Sequence, residues 1–133
     1  MPQHLAAITL LVPDYDEAIA YYTGKLGFEL IEDTRQSPSK RWVLISPPGA
    51  SETRLLLAKA ANAEQMDAIG NQSGGRVLFF LHTDDFDRDY ARYQALGVDF
   101  TEQPRDEEYG KVVVFRDAYG NKWDLVEKPA AGS

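Results

Sequence analysis

Asp124 and His82 are the two residues of this chain best suited to acid–base chemistry. A carboxylate and an imidazole that reach the same ligand can transfer protons without a metal ion. Because side chains alternate between the faces of a strand, Leu78, Phe80 and His82 share one face of the predicted strand 76–83. Each candidate also has a structural interpretation: His82 as a histidine at a strand end, and Asp124 as a buried carboxylate hydrogen-bonded across a sheet. We name both as catalytic candidates and leave these alternatives open.

Aromatic side chains in several predicted strands and turns are suited to lining a pocket for a small molecule. Aromatic rings combined with one carboxylate and one imidazole suit a flat or cationic organic ligand, whereas Arg54, Arg76 and Arg116 would favour an anion. Alternation puts Trp123 and Asp124 on opposite faces, so at most one of them faces the pocket. Tyr119 and Trp123 are further wall candidates, and the predicted ligand-binding residues are Phe80, His82, Trp42, Tyr109 and Asp124.

Composition excludes several classes of protein. The chain has 133 residues, no cysteine and a formal net charge of −7, which removes disulfides and thiolate chemistry and argues against binding to nucleic acid or an anionic membrane. The first residues, MPQHLAAITLLVPDYD, lack a basic segment before the apolar run, so they predict a strand rather than a signal peptide. No apolar run approaches the length of a membrane span. We therefore expect a cytoplasmic protein with neither a nucleic-acid nor a membrane partner.

An internal repeat organises the sequence. The stretch 10–30 corresponds to 81–100: Asp14 matches Asp85, Tyr22 matches Tyr93, and the Leu-Gly at 26–27 matches that at 96–97. Each copy reads as a strand, a capped helix that ends at a glycine, and further strands. We predict a single domain with a disordered tail, arranged as module one at 5–58, a linker at 59–75, module two at 76–127 and the tail at 128–133.

Three finer predictions concern individual elements. The apolar run 5–12 predicts a strand buried on both faces. Asn62 and Gln65 predict a short capped helix over 62–69. In module two, we expect a strand over 98–102 and a charged loop over 103–109.

The repeat resembles a known superfamily. The motif V-x-D…A…Y-Y…LGF and the D-A-Y-G-N turn at 117–121 are similar to those of the vicinal oxygen chelate superfamily, also called glyoxalase / bleomycin resistance protein / extradiol dioxygenase. The resemblance covers residues 5–127. It implies an α+β fold in which two tandem βαβββ modules with pseudo-twofold symmetry form a curled, cup-like mixed sheet. It also implies a homodimer, with modules paired within one chain or exchanged between chains.

The resemblance also indicates where a divalent metal would be held. Metal-using members place a His or Gln on the first strand of each module and a Glu on the last strand. In this chain the first-strand positions fall on Ala7 and Leu78, and the last-strand position of module two falls on Asp124; its counterpart lies within 54–56. Of these residues only Asp124 can ligate a metal, and a divalent ion needs about three protein ligands. We therefore expect no cofactor, with a rebuilt divalent-metal site as the alternative.

Three classes of function remain open, the third being a domain with an interaction or regulatory role and no small ligand. The first is a metal-free protein that binds a small organic molecule, similar to bleomycin-resistance-type binding proteins. The second is a glyoxalase-like lyase or isomerase, or a dioxygenase-type enzyme, with an altered metal site. The sequence does not choose between them, nor does it identify the ligand.

Overall fold

The computed structural model describes residues 2–129, which form two compact units with their boundary between Gly70 and Asn71. Unit 1 contains the strands and helices β1 (Ala7–Val12), α1 (Tyr15–Gly24), β2 (Glu29–Arg35), β3 (Arg41–Ser46), β4 (Arg54–Lys59) and α2 (Ala63–Ala68). Unit 2 contains β5 (Val77–His82), α3 (Phe86–Ala95), β6 (Asp99–Phe100), β7 (Arg105–Glu107), β8 (Gly110–Arg116) and β9 (Lys122–Glu127). The expected α+β class is confirmed.

The helix that follows the first strand starts in the same way in both units. Asp14 is the N-cap of α1 and accepts a hydrogen bond from the Glu17 backbone N–H at 2.8 Å. Asp85 does the same for α3, accepting from the Arg88 backbone N–H at 3.1 Å. These contacts satisfy backbone N–H groups that have no partner within the helix.

In unit 1 the strand order is β1-β4-β3-β2, with β1 parallel to β4 and the other pairs antiparallel. One face of this mixed sheet packs against α1. Leu10, Val43 and Leu57 on that face are fully buried, as are Ala18 and Tyr22 of the helix. We call the other side the opposite face of unit 1, and it carries Thr9, Leu11, Trp42, Leu44, Leu56 and Ala58.

In unit 2 the strand order is β5-β9-β8-β6, and β7 also pairs with β8. An aromatic cluster joins this sheet to α3: the Trp123 ring packs against Phe79 and Phe115, and Phe115 packs against Tyr93 of the helix. Trp123 is therefore a core residue. The opposite face of unit 2 carries the alternate side chains, Phe80, His82, Arg105, Val112, Asp124 and Val126.

Four sequence predictions require correction. Strand β1 is not buried on both faces, because Ile8 is 39% exposed and Thr9 is also exposed. The predicted loop 103–109 contains strand β7, which pairs with β8, and the strand expected at 98–102 shortens to Asp99–Phe100. The register of β5 against β9 shifts between Val77 and Phe79, so simple alternation does not fix the face of Leu78.

The short helix expected after module one is present as α2, capped by Asn62 as predicted. Of the predicted disordered tail, residues 130–133 lie outside the described part of the chain. Within residues 2–129, the longest helices have 10 residues, and none has the length and apolar character of a membrane span.

Candidate functional site

A cavity of about 580 Å³ opens in unit 1 at the end of the sheet where β4 ends and β3 begins. Residues of the opposite face line it, among them Thr9, Trp42, Leu56 and Ala58. These side chains are half-buried or exposed because α1 packs on the other side of the sheet. The volume is in the range of small-molecule sites.

Three cationic residues, Lys40, Arg41 and Lys59, also line this cavity. Arg41 is held by two carboxylates: its Nη1 lies 2.9 Å from Asp16 Oδ1, and its Nη2 lies 2.6 Å from Asp33 Oδ2. The Arg41 backbone N–H also donates to the Tyr15 hydroxyl at 3.3 Å. Because of the hydrogen bond from Arg41, the pKa of Asp33 is lowered. Arg41 therefore fixes the wall of the cavity.

In unit 2, the candidate residues lie on the opposite face. Phe80 pairs with Asp124 across β5 and β9, and His82 pairs with Val126 next to them. Phe80 is 66% exposed and His82 is also exposed, whereas Asp124 is buried. Phe80 and His82 share one face of β5, as alternation predicts, and Asp124 lies on the same face of the sheet, but the imidazole is exposed and not enclosed as it would be in a closed catalytic pair.

Asp124 has the electrostatic character of a functional carboxyl group. Its Oδ1 is buried and has no hydrogen-bond partner among residues 2–129. Burial raises its pKa, with a smaller increase from the Glu102 charge, while the Arg105 charge acts in the other direction. The structural alternative, a hydrogen bond across the sheet, is not formed by Oδ1. A buried carboxyl with a perturbed pKa is a candidate for ligand binding or proton transfer.

Arg105 connects the polar groups of this face. Its Nε donates to Glu102 Oε2 at 3.0 Å, and its Nη1 lies 3.5 Å from the Tyr109 hydroxyl. Glu102 Oε2 in turn accepts from the Val114 backbone N–H at 3.0 Å, in the gap between β6 and β7. A polar network anchored to the backbone therefore lies beside Asp124.

The structure separates the predicted site residues into two groups. Trp42 lines the cavity of unit 1, while Phe80, His82, Tyr109 and Asp124 belong to unit 2. Trp123 faces α3, and its Nε1 donates to Asp117 Oδ2 at 3.0 Å, so it is no part of a pocket wall. Arg54 donates to the Ser46 hydroxyl at 3.3 Å, so this arginine takes part in a hydrogen bond within unit 1.

Sequence reasoning missed polar residues in both regions, among them Lys40, Arg41 and Lys59 at the cavity and Glu102 and Arg105 beside Asp124. The two lysines lie at opposite ends of different strands in the sequence, and only the pairing of β3 with β4 brings them to one end of the sheet. A signal for Arg105 existed in the charged run 103–109, which we assigned to a loop.

The donor set does not fit a divalent metal ion. Thr9 in unit 1 corresponds to Phe80 in unit 2. The cross-strand partner of Thr9 is Leu56 and that of Phe80 is Asp124, so Leu56 is the module-one counterpart of Asp124. Ala7, Leu78 and Leu56 have no ligating atom in their side chains. Residues 2–129 contain no group of three His, Cys, Asp or Glu side chains placed to hold a metal.

Comparison with known proteins agrees with this architecture. The sequence model of the glyoxalase/bleomycin resistance protein/dioxygenase superfamily matches residues 4–125. An uncharacterized protein of Shewanella frigidimarina (strain NCIMB 400) is 56% identical over 128 residues, covering 96% of this chain and 95% of the relative.

Solved structures show the same similarity. The crystal structure of UcmS2 has a TM-score of 0.81 and 30% identity, covering 95% of this chain and 98% of that one. TnmS3, described as an antibiotic binding protein from Streptomyces sp. CB03234, has a TM-score of 0.78 and 28% identity, covering 96% of this chain and 98% of its own. The resemblance seen in the repeat is confirmed, and the chain belongs to the glyoxalase/bleomycin resistance protein/dioxygenase superfamily.

Proposed function

We propose that this protein is a metal-free binding protein for a small organic molecule, similar to bleomycin-resistance-type binding proteins. The observation that carries the proposal is the cavity of about 580 Å³ in unit 1, with the Trp42 ring and the Leu56 side chain in its lining. Aromatic and aliphatic lining with a few polar groups is typical of sites for small organic ligands. The similarity to TnmS3, an antibiotic binding protein, supports the same class of function.

The absence of metal is part of this proposal. Three of the positions at which metal-using relatives hold their ligands carry aliphatic side chains, and Asp124 alone cannot complete a coordination sphere. Elemental analysis after incubation with manganese, nickel or zinc and dialysis is expected to find less than about 0.1 equivalent of retained metal, as for a site with a single ligand. Retention of one equivalent would contradict the metal-free proposal.

Ligand binding is tested by a thermal-shift screen of small aromatic compounds, because a molecule that binds only the folded state raises the melting temperature. A compound that stabilises the protein is then titrated against the Trp42→Ala variant by calorimetry. We expect Trp42→Ala to weaken binding about tenfold or more, since it removes an aromatic ring from the lining. Tyr21→Ala, which truncates a half-buried aromatic residue of α1 outside the lining, is the matched control and is expected to bind normally.

A second candidate function, catalysis by a glyoxalase-like lyase, isomerase or dioxygenase-type enzyme, is favoured by one observation. Asp124 is a buried carboxyl group whose pKa is raised, which suits a group that donates or accepts a proton. If the protein turns over a bound compound, Asp124→Asn is expected to abolish turnover while binding persists. Binding without any turnover in the wild type would leave the binding function alone.

We further propose a cytoplasmic homodimer, which remains an expectation from the family. In unit 1 the outer strands of the sheet are β1 and β2, and Leu5 and Ile8 near the β1 edge are 70% and 39% exposed. Exposed apolar side chains beside an outer strand of a sheet favour association with a second chain. A concentration-independent monomer mass in light scattering would contradict the dimer.

A further inference from the structure

The cavity of unit 1 has a charge opposite to that of the protein. The whole chain carries 21 acidic and 14 basic residues, for a net charge of −7. Yet the cavity lining includes Lys40, Arg41 and Lys59 and contains no aspartate or glutamate. A local excess of positive charge in an acidic protein needs an explanation from the site itself.

The three cations of the lining differ in what already neutralises them. The Arg41 guanidinium contacts Asp16 and Asp33, and it also lies over the Tyr15 ring at 5.1 Å from the ring centroid. Lys40 and Lys59 are exposed, and neither ammonium group has an ion pair or hydrogen bond among residues 2–129. The lysines therefore supply the positive charge that is available to a ligand.

The remaining lining is apolar or uncharged. The Trp42 ring is half-buried, and Leu56, Ala58 and Ala60 add aliphatic surface, while Thr9 adds a hydroxyl group. An indole ring stacks well on a flat conjugated ring, and a cation attracts an acidic group attached to that ring. We propose that this cavity binds a planar aromatic anion, with the ring against Trp42 and the acidic group toward Lys40 and Lys59. The inference rests on the proposed binding function and assigns its ligand class.

The opposite face of unit 2 has a different charge. Its exposed aromatic residue, Phe80, lies beside the buried Asp124 carboxyl group, and Arg105 on the same face is already paired with Glu102 and Glu107. A carboxylate ligand next to Phe80 would therefore meet another carboxyl group and an arginine that already has two carboxylate partners. The anion is therefore assigned to unit 1, where the lysines have no carboxylate partner.

Three probes that share one ring test the ligand class. We would titrate the protein with 2-naphthoate, the neutral 2-naphthamide and the cationic 2-naphthylmethylammonium. The readout is the pair of tryptophan indole signals in a nitrogen-15 NMR spectrum, assigned with Trp42→Phe. Trp123 is the internal control, because its indole ring is buried in unit 2 and donates a hydrogen bond to Asp117.

The expected result is a shift of the Trp42 signal, an unchanged Trp123 signal, and 2-naphthoate binding about tenfold more tightly than the cation. Lys40→Gln and Lys59→Gln should each weaken the binding of 2-naphthoate by about 2- to 5-fold, the range expected for an exposed ion pair. The binding of 2-naphthamide should be unchanged. Lys25→Gln, an exposed lysine outside the lining, is the matched control and should have no effect. Of the binding of 2-naphthoate and of 2-naphthamide, added salt should weaken only that of the anion, 2-naphthoate.

Other outcomes separate the two proposals. If 2-naphthamide or the ammonium probe shifts Trp42 and binds as tightly as 2-naphthoate, the cavity binds aromatic molecules but the anion assignment is wrong. If 2-naphthoate binds better but both lysine variants bind it normally, the assignment to these lysines is overturned. If no probe shifts Trp42 at millimolar concentration, the anion assignment fails and so does the cavity as the site of the proposed function.

Discussion

The two units are alike on the face of the sheet that packs against the helix, and they differ on the opposite face. In both, an aspartate caps the helix, and an aromatic side chain of that helix, Tyr22 or Tyr93, is buried against the sheet. On the opposite faces, the pair Thr9 and Leu56 of unit 1 corresponds to Phe80 and Asp124 of unit 2. The helix-packed face is constrained by the fold, because it must bury apolar surface. The opposite faces are free to carry different chemistry.

This difference indicates that the two modules contribute differently to binding. Unit 1 offers an aromatic and aliphatic cavity with two unpaired lysines. Unit 2 offers a buried carboxyl group beside an arginine that is already paired. A duplicated metal site would need matching ligands on both modules, and the opposite faces do not match. The following predictions test which features the units share, from the largest expected effect to the smallest.

The β7–β8 hairpin of unit 2 takes the place of the β2–β3 hairpin of unit 1, and Gly110 within it is tightly constrained. Gly110 has a φ of +137°, and a Cβ there would collide with the Glu127 backbone carbonyl. We expect Gly110→Ala to lower the free energy of unfolding by about 3–5 kcal/mol, since both strain and a backbone clash act. Urea denaturation of the Trp42→Phe background measures this, because Trp123 then reports on unit 2 alone.

Gly49→Ala is the matched control for Gly110→Ala. Gly49 also has a positive φ, +77°, but a Cβ there meets nothing within 4 Å. Gly49→Ala should lower the free energy of unfolding by only about 1–2 kcal/mol, the cost of the left-handed conformation for an L-residue. Equal losses at the two positions would show that φ strain, and not the contact with Glu127, dominates at Gly110.

The turn between the last two strands is the next largest difference. In unit 2, the Asp117 carboxylate accepts hydrogen bonds from the Tyr119 and Asn121 backbone N–H groups, the Asn121 amide and the Trp123 indole, each at 3.0 Å. In unit 1, the corresponding loop is held by separate hydrogen bonds: the Ser46 hydroxyl donates to Ala50 O at 3.3 Å and accepts from Arg54, and the Gly49 backbone N–H donates to Glu29 Oε1 at 3.1 Å.

We expect Asp117→Ala to lower the free energy of unfolding by about 3 kcal/mol, because it leaves several buried donors unpaired. Ser46→Ala should lower it by about 1 kcal/mol or less. Thermal and urea denaturation measure both, and an upfield shift of the Trp123 indole proton would report the lost hydrogen bond. A loss for Ser46→Ala as large as that for Asp117→Ala would contradict this difference between the turns.

The shared features were predictable from the sequence because their signals are local. Asp14 and Asp85 precede helices, and Gly27 and Gly97, with φ of +72° and +81°, follow them. The buried or exposed state of β1 was not predictable, because it depends on the strands and helices that pack against it. Thr9 is exposed although it lies within an apolar run.

The site was less predictable because its residues meet through strand pairing. Lys40 lies two residues before Trp42, but Lys59 belongs to another strand, and only the pairing of β3 with β4 brings it to the same end of the sheet. Strand β7 was missed because Arg105–Glu107 is entirely charged and has no apolar alternation. The bulge near Leu78 likewise follows from pairing with β9 and has no turn residue to mark it.

The N-cap aspartates of α1 and α3 are a feature that the two units share. Asp14→Ala and Asp85→Ala should each lower the free energy of unfolding by about 1 kcal/mol, the usual loss for an N-cap aspartate. Asp14→Asn and Asp85→Asn should retain most of the stability, because asparagine also accepts the capping hydrogen bond. Circular dichroism during urea denaturation measures all four variants. Losses that differ by more than about 1 kcal/mol would mean that the two helices contribute unequally.

The smallest expected effect concerns Asp124, which has no acidic counterpart in unit 1. Because burial raises its pKa, the folded state holds this proton more tightly than the unfolded chain, in which an aspartate has a pKa of about 3.9. The free energy of unfolding should therefore fall as the pH rises from the unfolded pKa through the raised folded pKa.

Asp124→Asn removes this titration. We expect the variant to be more stable than the wild type at pH 7, by less than about 1 kcal/mol because the Arg105 charge offsets part of the desolvation. The difference should vanish near pH 3.5, where both proteins are uncharged at this position. A variant that is less stable at pH 7 would mean that the Arg105–carboxylate attraction outweighs burial. The opposite face of unit 2 would then be held together by that charge, and its carboxylate would be structural rather than available to a ligand.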